Sequence, residues 1–126
     1  MTTIVDKPWG REIILSESNL PYTAKILEVL GGKRLSLQYH DEKTETLVLI
    51  SGKARLIRGP NQTELKATEM IPSEGYTIQK MEVHRIEAIS DCRIFEASTP
   101  QIGTTYRLED DTNRDHEILN NLKKHE

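Results

Sequence analysis

Residues 34–40, Arg34-Leu35-Ser36-Leu37-Gln38-Tyr39-His40, are the part of the sequence that decides the fold. Apolar and polar residues alternate strictly along this stretch. That pattern predicts a β-strand, because successive strand side chains point to opposite faces. The two faces carry Leu35, Leu37 and Tyr39 on one side and Arg34, Ser36, Gln38 and His40 on the other. A strand with this polar face is expected to line a site.

Gln38 and His40 are followed by Glu45, which opens the apolar run 46–50, and His84 lies further along the chain. Amide, imidazole and carboxylate groups are nitrogen and oxygen donors that hold borderline divalent cations. The four residues therefore predict a metal site inside a β-barrel. The alternative is that they are two solvated histidines and a surface glutamate.

Composition and length narrow the class of protein. The chain has 126 residues, which predicts one domain over 1–126. Seventeen Lys and Arg against twenty Asp and Glu give a net charge of -3, which argues against nucleic acid as a partner. Apolar runs are too short for a membrane span, and the single cysteine excludes an intramolecular disulfide. The N-terminal residues lack the apolar region of a signal peptide, so the cytoplasm is the expected location.

Turn residues divide the chain into short β-type segments, which is typical of an all-β sandwich or barrel. The segment 50–53, Ile50-Ser51-Gly52-Lys53, predicts a hairpin turn. The predicted strands are Glu12 to Leu15, Ala24 to Leu30, Arg34 to Tyr39, Glu45 to Ile50, Ala54 to Arg58, Thr63 to Ala67, Tyr76 to Gln79, His84 to Ile89 and Arg93 to Ser98.

The barrel is expected over about residues 6–110, and the tail has a different period. Ile118, Leu119 and Leu122 form one helical stripe, which predicts a short C-terminal α-helix over about 112–124. This stripe and the apolar strand 12–15 offer surfaces for a partner, since strand edges of a small barrel need cover. We therefore expect a homodimer.

The spacing Gly32, Gln38-x-His40, Glu45, Gly52 resembles the first cupin motif, with Gln38 in place of the usual first histidine. Further strings extend the resemblance to the cupin domain of type II mannose-6-phosphate isomerases over about residues 6–114. They are Lys7-Pro8-Trp9-Gly10-Arg11-Glu12, Leu35-Ser36-Leu37-Gln38-Tyr39-His40, His84-Arg85, Glu96-Ala97-Ser98-Thr99-Pro100 and Arg107-Leu108-Glu109-Asp110-Asp111.

This resemblance implies a cupin fold, a double-stranded β-helix or jelly-roll barrel. It also implies one divalent metal ion held by Gln38, His40, Glu45 and His84. Zinc is the first choice for the ion, and nickel, cobalt, manganese and iron also suit a donor set without thiolate. The segments before His84 and Arg107 depart from the family pattern, so the fold and the metal are more strongly implied than the isomerase reaction.

Three further residues are candidates for chemistry on a sugar phosphate. Glu96 matches the family and would move a proton, or else it is a surface carboxylate. Lys25 would bind phosphate or hydroxyl groups, or else its ammonium extends to solvent at the barrel rim. Arg107 matches the family arginine and would bind phosphate or an enediolate, or else it pairs with Glu109 or Asp110. The charged triplet 41–43, Asp41-Glu42-Lys43, is interpreted as a solvated loop.

Three functions follow from these residues. The first is aldose–ketose isomerisation of a sugar phosphate through a cis-enediol, with the metal as Lewis acid. The second is a non-catalytic cupin that binds a sugar or another metabolite. The third is an iron-dependent oxygenase, which Gln38 disfavours because such enzymes prefer histidine-rich ligand sets.

Overall fold

A computed structural model of the chain describes residues 2–120, and within this range the chain forms twelve β-strands and no helix. The strands are β1 (Thr3–Lys7), β2 (Gly10–Ile14), β3 (Thr23–Val29), β4 (Leu37–His40), β5 (Glu45–Ser51), β6 (Ala54–Gly59), β7 (Lys66–Glu69), β8 (Gly75–Ile78), β9 (Val83–Ala88), β10 (Cys92–Ser98), β11 (Ile102–Glu109) and β12 (Glu117–Asn120). The prediction of an all-β fold is confirmed.

The strands form two antiparallel sheets of six strands each. The first sheet has the order β1-β2-β3-β10-β5-β8, and the second has the order β12-β11-β4-β9-β6-β7. Both sheets contribute side chains to one apolar core, which includes Leu27, Leu47 and Ile94 from the first sheet and Leu56 and Ile86 from the second. Burying a side chain of this size stabilises the fold by about 1.5–3 kcal/mol.

Alternation of buried and exposed side chains explains why these segments form strands. In β3 every second residue from Thr23 to Val29 is buried, and the residues between them are half-buried. β10 repeats the pattern from Cys92 to Ser98. Both strands therefore turn one face toward the interior of the barrel, and side chains on that face either fill the core or line the site.

The nine strands expected from the sequence correspond to β2 through β10, with boundaries shifted by up to three residues. One of the largest differences between the predicted and the observed strands concerns residues 34–36. Leu35 packs against the core, while the Ser36 hydroxyl donates a hydrogen bond to Gln38 Oε1 at 2.6 Å. The strand predicted from Arg34 therefore begins only at Leu37, where β4 starts.

The predicted C-terminal helix is absent from the described part of the tail. Residues 117–120 form β12, which pairs with β11 in the register Thr105↔Glu117 to Ile102↔Asn120. Leu119 is buried, whereas Ile118 is 78% exposed, so the two residues lie on opposite faces of a strand. Leu122 and the rest of the predicted helix to 124 lie outside the described residues.

The predicted hairpin at 50–53 is a tight turn between two sheets rather than between two paired strands. It connects β5 of the first sheet to β6 of the second, so the two flanking strands do not pair with each other. Gly52 adopts a φ of 81° at this turn, a conformation that glycine accepts without steric cost. In the described range 2–120, no helix is long and apolar enough to cross a membrane.

Candidate metal centre

A narrow cavity of about 60 Å³ lies between the two sheets. All seven residues that the sequence nominated for metal binding or catalysis line this cavity: Lys25, Gln38, His40, Glu45, His84, Glu96 and Arg107. They come from β3, β4, β5, β9, β10 and β11. The inward faces of both sheets therefore converge on one polar chamber beside the apolar core.

Three of the four predicted ligands form a compact cluster in the wall of this cavity. One donor atom each from His40, Glu45 and His84 lie within 4.8 Å of one another. Glu45 Oε1 is 3.4 Å from His84 Nε2, and Glu45 Oε2 is 3.7 Å from His40 Nε2. All three side chains are at most 5% exposed. Two imidazoles and a carboxylate at this spacing can hold one divalent cation.

Hydrogen bonds on the far side of each ring orient the two histidines. His84 Nδ1 lies 2.9 Å from the carbonyl oxygen of Glu82. Because a carbonyl only accepts, this contact places a proton on Nδ1 and leaves Nε2 with a free lone pair. His40 Nδ1 is 2.8 Å from Thr105 Oγ1, a contact that fixes the plane of the second ring.

The facing nitrogens of the two histidines have no hydrogen-bond partner among the described residues. They are His40 Nε2 and His84 Nε2, and both are buried. Buried polar atoms in proteins are normally paired, because an unpaired one costs about 1–3 kcal/mol. The donor set and its unpaired atoms therefore fit a bound cation.

The fourth predicted ligand, Gln38, lies beside the cluster. It is the register partner of His84 across β4 and β9, and it lines the same cavity. Its Oε1 accepts the hydrogen bond from Ser36 described above. Gln38 is thus on the wall next to the three clustered groups.

Lys43 is a cavity residue that the sequence analysis did not nominate. The triplet 41–43 was expected to be solvated, but Lys43 is only 4% exposed. Its Nζ lies 3.0 Å from Glu45 Oε2 and 2.9 Å from Glu96 Oε2. The spacing to Glu45 carried a signal: residues i and i+2 share a face of an extended chain. Because Glu45 points into the cavity, the side chain of Lys43, two residues earlier, points there as well.

Charge and burial set the ionisation of the cluster. Burial opposes the charged forms of both Lys43 and Glu45. The attraction between the ammonium and the carboxylate outweighs this effect of burial. The pKa of Glu45 is therefore held well below its usual range, and the pKa of Lys43 is raised. Burial, and then the Lys43 ammonium, lower the pKa of His40 to about 3. His40 is therefore a neutral imidazole at physiological pH, which is the form that binds a metal.

Glu96 and Lys25 form a second charged group next to the cluster. Lys25 Nζ is 3.8 Å from Glu96 Oε2 and 3.2 Å from Glu12 Oε1. Lys25 and Glu96 are both buried, so neither the rim position considered for Lys25 nor the surface position considered for Glu96 applies. Glu12 was also missed by the sequence analysis. Glu96 is thus a buried carboxylate between two ammonium groups.

Arg107 lies on β11 opposite Gln38 of β4. Its guanidinium donates hydrogen bonds to the carbonyl oxygen of Asp115 at 2.6 Å and to Glu117 Oε1 at 2.9 Å, while its Nε has no hydrogen-bond partner within residues 2–120. The acidic residues expected as alternative partners pair elsewhere: Glu109 with Arg85 and Asp110 with Arg114.

Comparison with known proteins places this geometry in a family. The profile described as "Mannose-6-phosphate isomerase C-terminal" matches residues 1–117. No curated protein matches the chain at the significance required.

Solved structures share the fold at low sequence identity. KdgF from Halomonas sp. superposes with a TM-score of 0.65 at 13% identity, covering 78% of this chain and 87% of that one. CapF, a capsular polysaccharide assembling protein from Staphylococcus aureus, gives 0.66 at 15% identity, covering 94% and 34%. A Lactobacillus farciminis oxalate decarboxylase in a formate complex gives 0.71 at 16% identity, covering 85% and 33%. This chain thus spans about a third of the latter two proteins.

These neighbours are cupins, and the two antiparallel sheets around a polar cavity match their architecture. The predicted cupin fold is therefore confirmed. With the profile match extending over nearly all described residues, the chain belongs to the mannose-6-phosphate isomerase C-terminal family of cupin domains.

Proposed function

We propose that this protein is a metal-dependent isomerase that interconverts an aldose phosphate and a ketose phosphate. The observation that carries the proposal is the cluster of His40, Glu45 and His84, in which both imidazole Nε2 atoms are buried and have no hydrogen-bond partner among the described residues, with the carboxylate of Glu96 nearby. A metal site next to a buried proton-transfer group suits a reaction that moves one proton between adjacent carbons.

His40, Glu45 and His84 would hold the metal, with Gln38 as a fourth donor from the cavity wall. Zinc is the ion we favour, and nickel, cobalt, manganese or iron also suit two nitrogens and two oxygens. A bound divalent ion supplies Lewis-acid polarisation of the sugar's carbonyl and hydroxyl oxygens. Thr105 and the carbonyl of Glu82 orient the two imidazoles for this role.

Glu96 would carry the proton between C1 and C2 of the sugar through a cis-enediol. Lys43 fixes its position, since the ammonium contacts both Glu96 and the proposed ligand Glu45. Lys43 thereby separates the two carboxylates. Glu45 would bind the metal, and Glu96 would transfer the proton. The buried cavity excludes bulk water from the carbon that is deprotonated.

Arg107 and Lys25 are the candidates for binding phosphate. Lys25 is close to two carboxylates, Glu12 and Glu96, which repel an anion. Arg107 has one carboxylate partner and an unpaired Nε. Of the two, Arg107 is better suited to phosphate, because its planar guanidinium can bind two oxygens at once.

Metal analysis and an isomerase assay test the proposal together. Purified protein should contain about one divalent metal per chain, and His40→Ala should lose it, because the cluster would keep only one imidazole. His116→Ala is the matched control, since it removes a histidine outside the cluster. If His40→Ala retains stoichiometric metal, the site is wrongly placed.

The wild type should interconvert mannose-6-phosphate and fructose-6-phosphate. Glu96→Gln should reduce the rate by about 10²–10⁴-fold, because it removes the proton-transfer group, while metal content stays at the wild-type level. Equal rates for Glu96→Gln and wild type would refute the role of Glu96.

A second candidate is a cupin that binds a sugar or another metabolite without turnover. The contacts of Arg107 with Asp115 and Glu117 favour it, because a phosphate would have to compete with them. Saturable sugar binding with no conversion of the bound sugar would establish this function.

The homodimer and the cytoplasmic location stay predictions from the sequence. Light scattering at micromolar concentration tests the first, and fractionation of cells that express the protein tests the second.

A further inference from the structure

Lys7 differs from the other lysines and arginines that line the cavity. Each of the other five forms an ion pair with at least one carboxylate, whereas Lys7 has no such partner within residues 2–120. A positive charge that a protein leaves unneutralised in a cleft attracts anionic ligands. The ammonium of Lys7 is therefore available to a negatively charged group of a substrate.

The position of Lys7 on β1 directs its side chain toward the interior. Lys7 and Val5 are half-buried, whereas Asp6 between them is exposed. Lys7 thus shares a face with Val5, whose register partner on β2 is the buried cavity residue Glu12. The register partner of Lys7 itself is Gly10, which has no side chain to fill the space beside the lysine.

The two sheets bring Lys7 and Arg107 to the same side of the barrel. β5 and β6, which the tight turn at 50–53 connects, both hold the fifth place in their sheets, so the two strand orders run in the same direction. β1, which carries Lys7, is therefore at the same edge as β11 and β12, which carry Arg107 and Glu117. All three side chains line the cavity.

This side of the cavity is its open side. Lys7 is half-buried and the Glu117 side chain is 30% exposed, whereas the three clustered groups of the candidate metal centre are at most 5% exposed. The volume of about 60 Å³ holds only a few water molecules. A larger ligand must therefore extend toward the open side, where its far end meets Lys7 and Arg107.

We propose that Lys7 binds the phosphate of the substrate at the open side of the cavity, together with Arg107. The inference rests on the proposed function, because it takes the ligand to be a sugar phosphate whose carbonyl end faces the metal. Arg107 must exchange its contact with Glu117 for the phosphate, whereas Lys7 has no ion-pair partner among the described residues to exchange. Lys7 therefore contributes to the preference for a phosphorylated sugar.

Binding of fructose-6-phosphate to the metal-loaded protein tests this role. Lys7→Gln removes the charge and should weaken binding by about tenfold or more, the usual loss for one charge-assisted hydrogen bond. Lys7→Arg keeps the charge and should retain most of the affinity. Calorimetry measures the dissociation constants, and metal analysis checks that each variant stays loaded.

Lys66→Gln is the matched control, since it removes an exposed lysine charge from β7 of the other sheet, and its affinity should equal that of the wild type. The salt dependence of binding separates a direct contact from an effect on folding. Because salt screens charges, the affinity of the wild type should fall more steeply with added NaCl than that of Lys7→Gln. A purely structural role would lower the affinity without changing this slope.

Several results would overturn the assignment of Lys7. They are a wild type that binds no fructose-6-phosphate, a Lys7→Gln variant that binds it as tightly as the wild type, and equal salt slopes for the two proteins. Binding that depends on Lys7 without conversion of the bound sugar would support this site and overturn the isomerase. Conversion with an affinity that Lys7→Gln leaves unchanged would support the isomerase and overturn this site.

Discussion

Lys43 holds a buried positive charge between two carboxylates, and this arrangement determines how the centre responds to mutation. The ammonium is within 3.0 Å of both Glu45 and Glu96. The attraction between these opposite charges outweighs the burial that opposes the charged forms of Lys43 and Glu45. Breaking a buried ion pair by removing one partner is costly, because the remaining charge stays in a poorly solvating interior.

We expect Lys43→Met to lower the free energy of unfolding of the metal-free protein by about 3–5 kcal/mol near pH 8. Without Lys43 the pKa of Glu45 should rise, so protonation should restore part of the loss as the pH falls toward 5. Urea unfolding at both pH values measures the effect. Lys43→Arg keeps the charge and is the control; equal stability of Lys43→Met and wild type would contradict the ion-pair role.

The three clustered side chains, His40, Glu45 and His84, could be singled out from the sequence as candidate ligands, whereas Lys43 was not. His40 and Glu45 share a motif spacing, and the amide, imidazole and carboxylate groups are unusual on the inner face of a strand. Lys43 stands in a run of charges, which is the common signature of a solvated loop. Only the course of the chain into β5, which carries Lys43 toward the interior with Glu45, distinguishes it from Asp41 and Glu42.

Gly52 and Gly32 show two different reasons why a turn requires glycine: lack of space for a side chain, and a left-handed backbone conformation. Gly52 between β5 and β6 and Gly32 before β4 have nearly equal φ values, 81° and 83°. A Cβ on Gly52 would lie 2.1 Å from the carbonyl oxygen of Asp91, whereas a Cβ on Gly32 would meet nothing within 4 Å. The first position therefore needs glycine for space and for φ, the second for φ alone.

Gly32→Ala should cost about 1–2 kcal/mol of unfolding free energy, the strain of a left-handed residue with a side chain. Gly52→Ala should cost clearly more, because the backbone of 91–92 must also move. Urea unfolding of the two variants in parallel measures the difference. Equal losses would mean that the turn at Gly52 relaxes without resistance.

Strands with a clear alternation of apolar and polar residues could be predicted from the sequence. Segments whose structure depends on pairing with a neighbouring strand could not. The tail has apolar residues at Ile118 and Leu119, which also fit a helix. Pairing with β11 overrides this local preference, because the outer edge of β11 would otherwise expose unpaired backbone groups. β1 and β11 were missed since their sequences, 3–7 and 102–109, carry few large apolar residues.

At the scale of the whole molecule, the residues of the candidate metal centre come from both sheets. Glu45 comes from β5 of the first sheet, while His40 and His84 come from β4 and β9 of the second. The sequence places these strands along the chain but does not assign them to sheets, because the tight turn at 50–53 would suit a hairpin equally well. A bound ion would therefore link both halves of the barrel.

Metal binding should consequently stabilise the whole fold. A ligand that binds only the folded state adds about 2.7 kcal/mol at one hundred times its dissociation constant, so Zn²⁺ added to chelator-treated protein should raise Tm by several degrees. The transition should remain a single step, because the ion contacts both sheets at once. Calorimetry with and without metal measures this, and a chelator should reverse it. His40→Ala, which keeps Glu45 and His84 but lacks one imidazole, should show little rise; the same increase in that variant would locate the stabilising ion elsewhere.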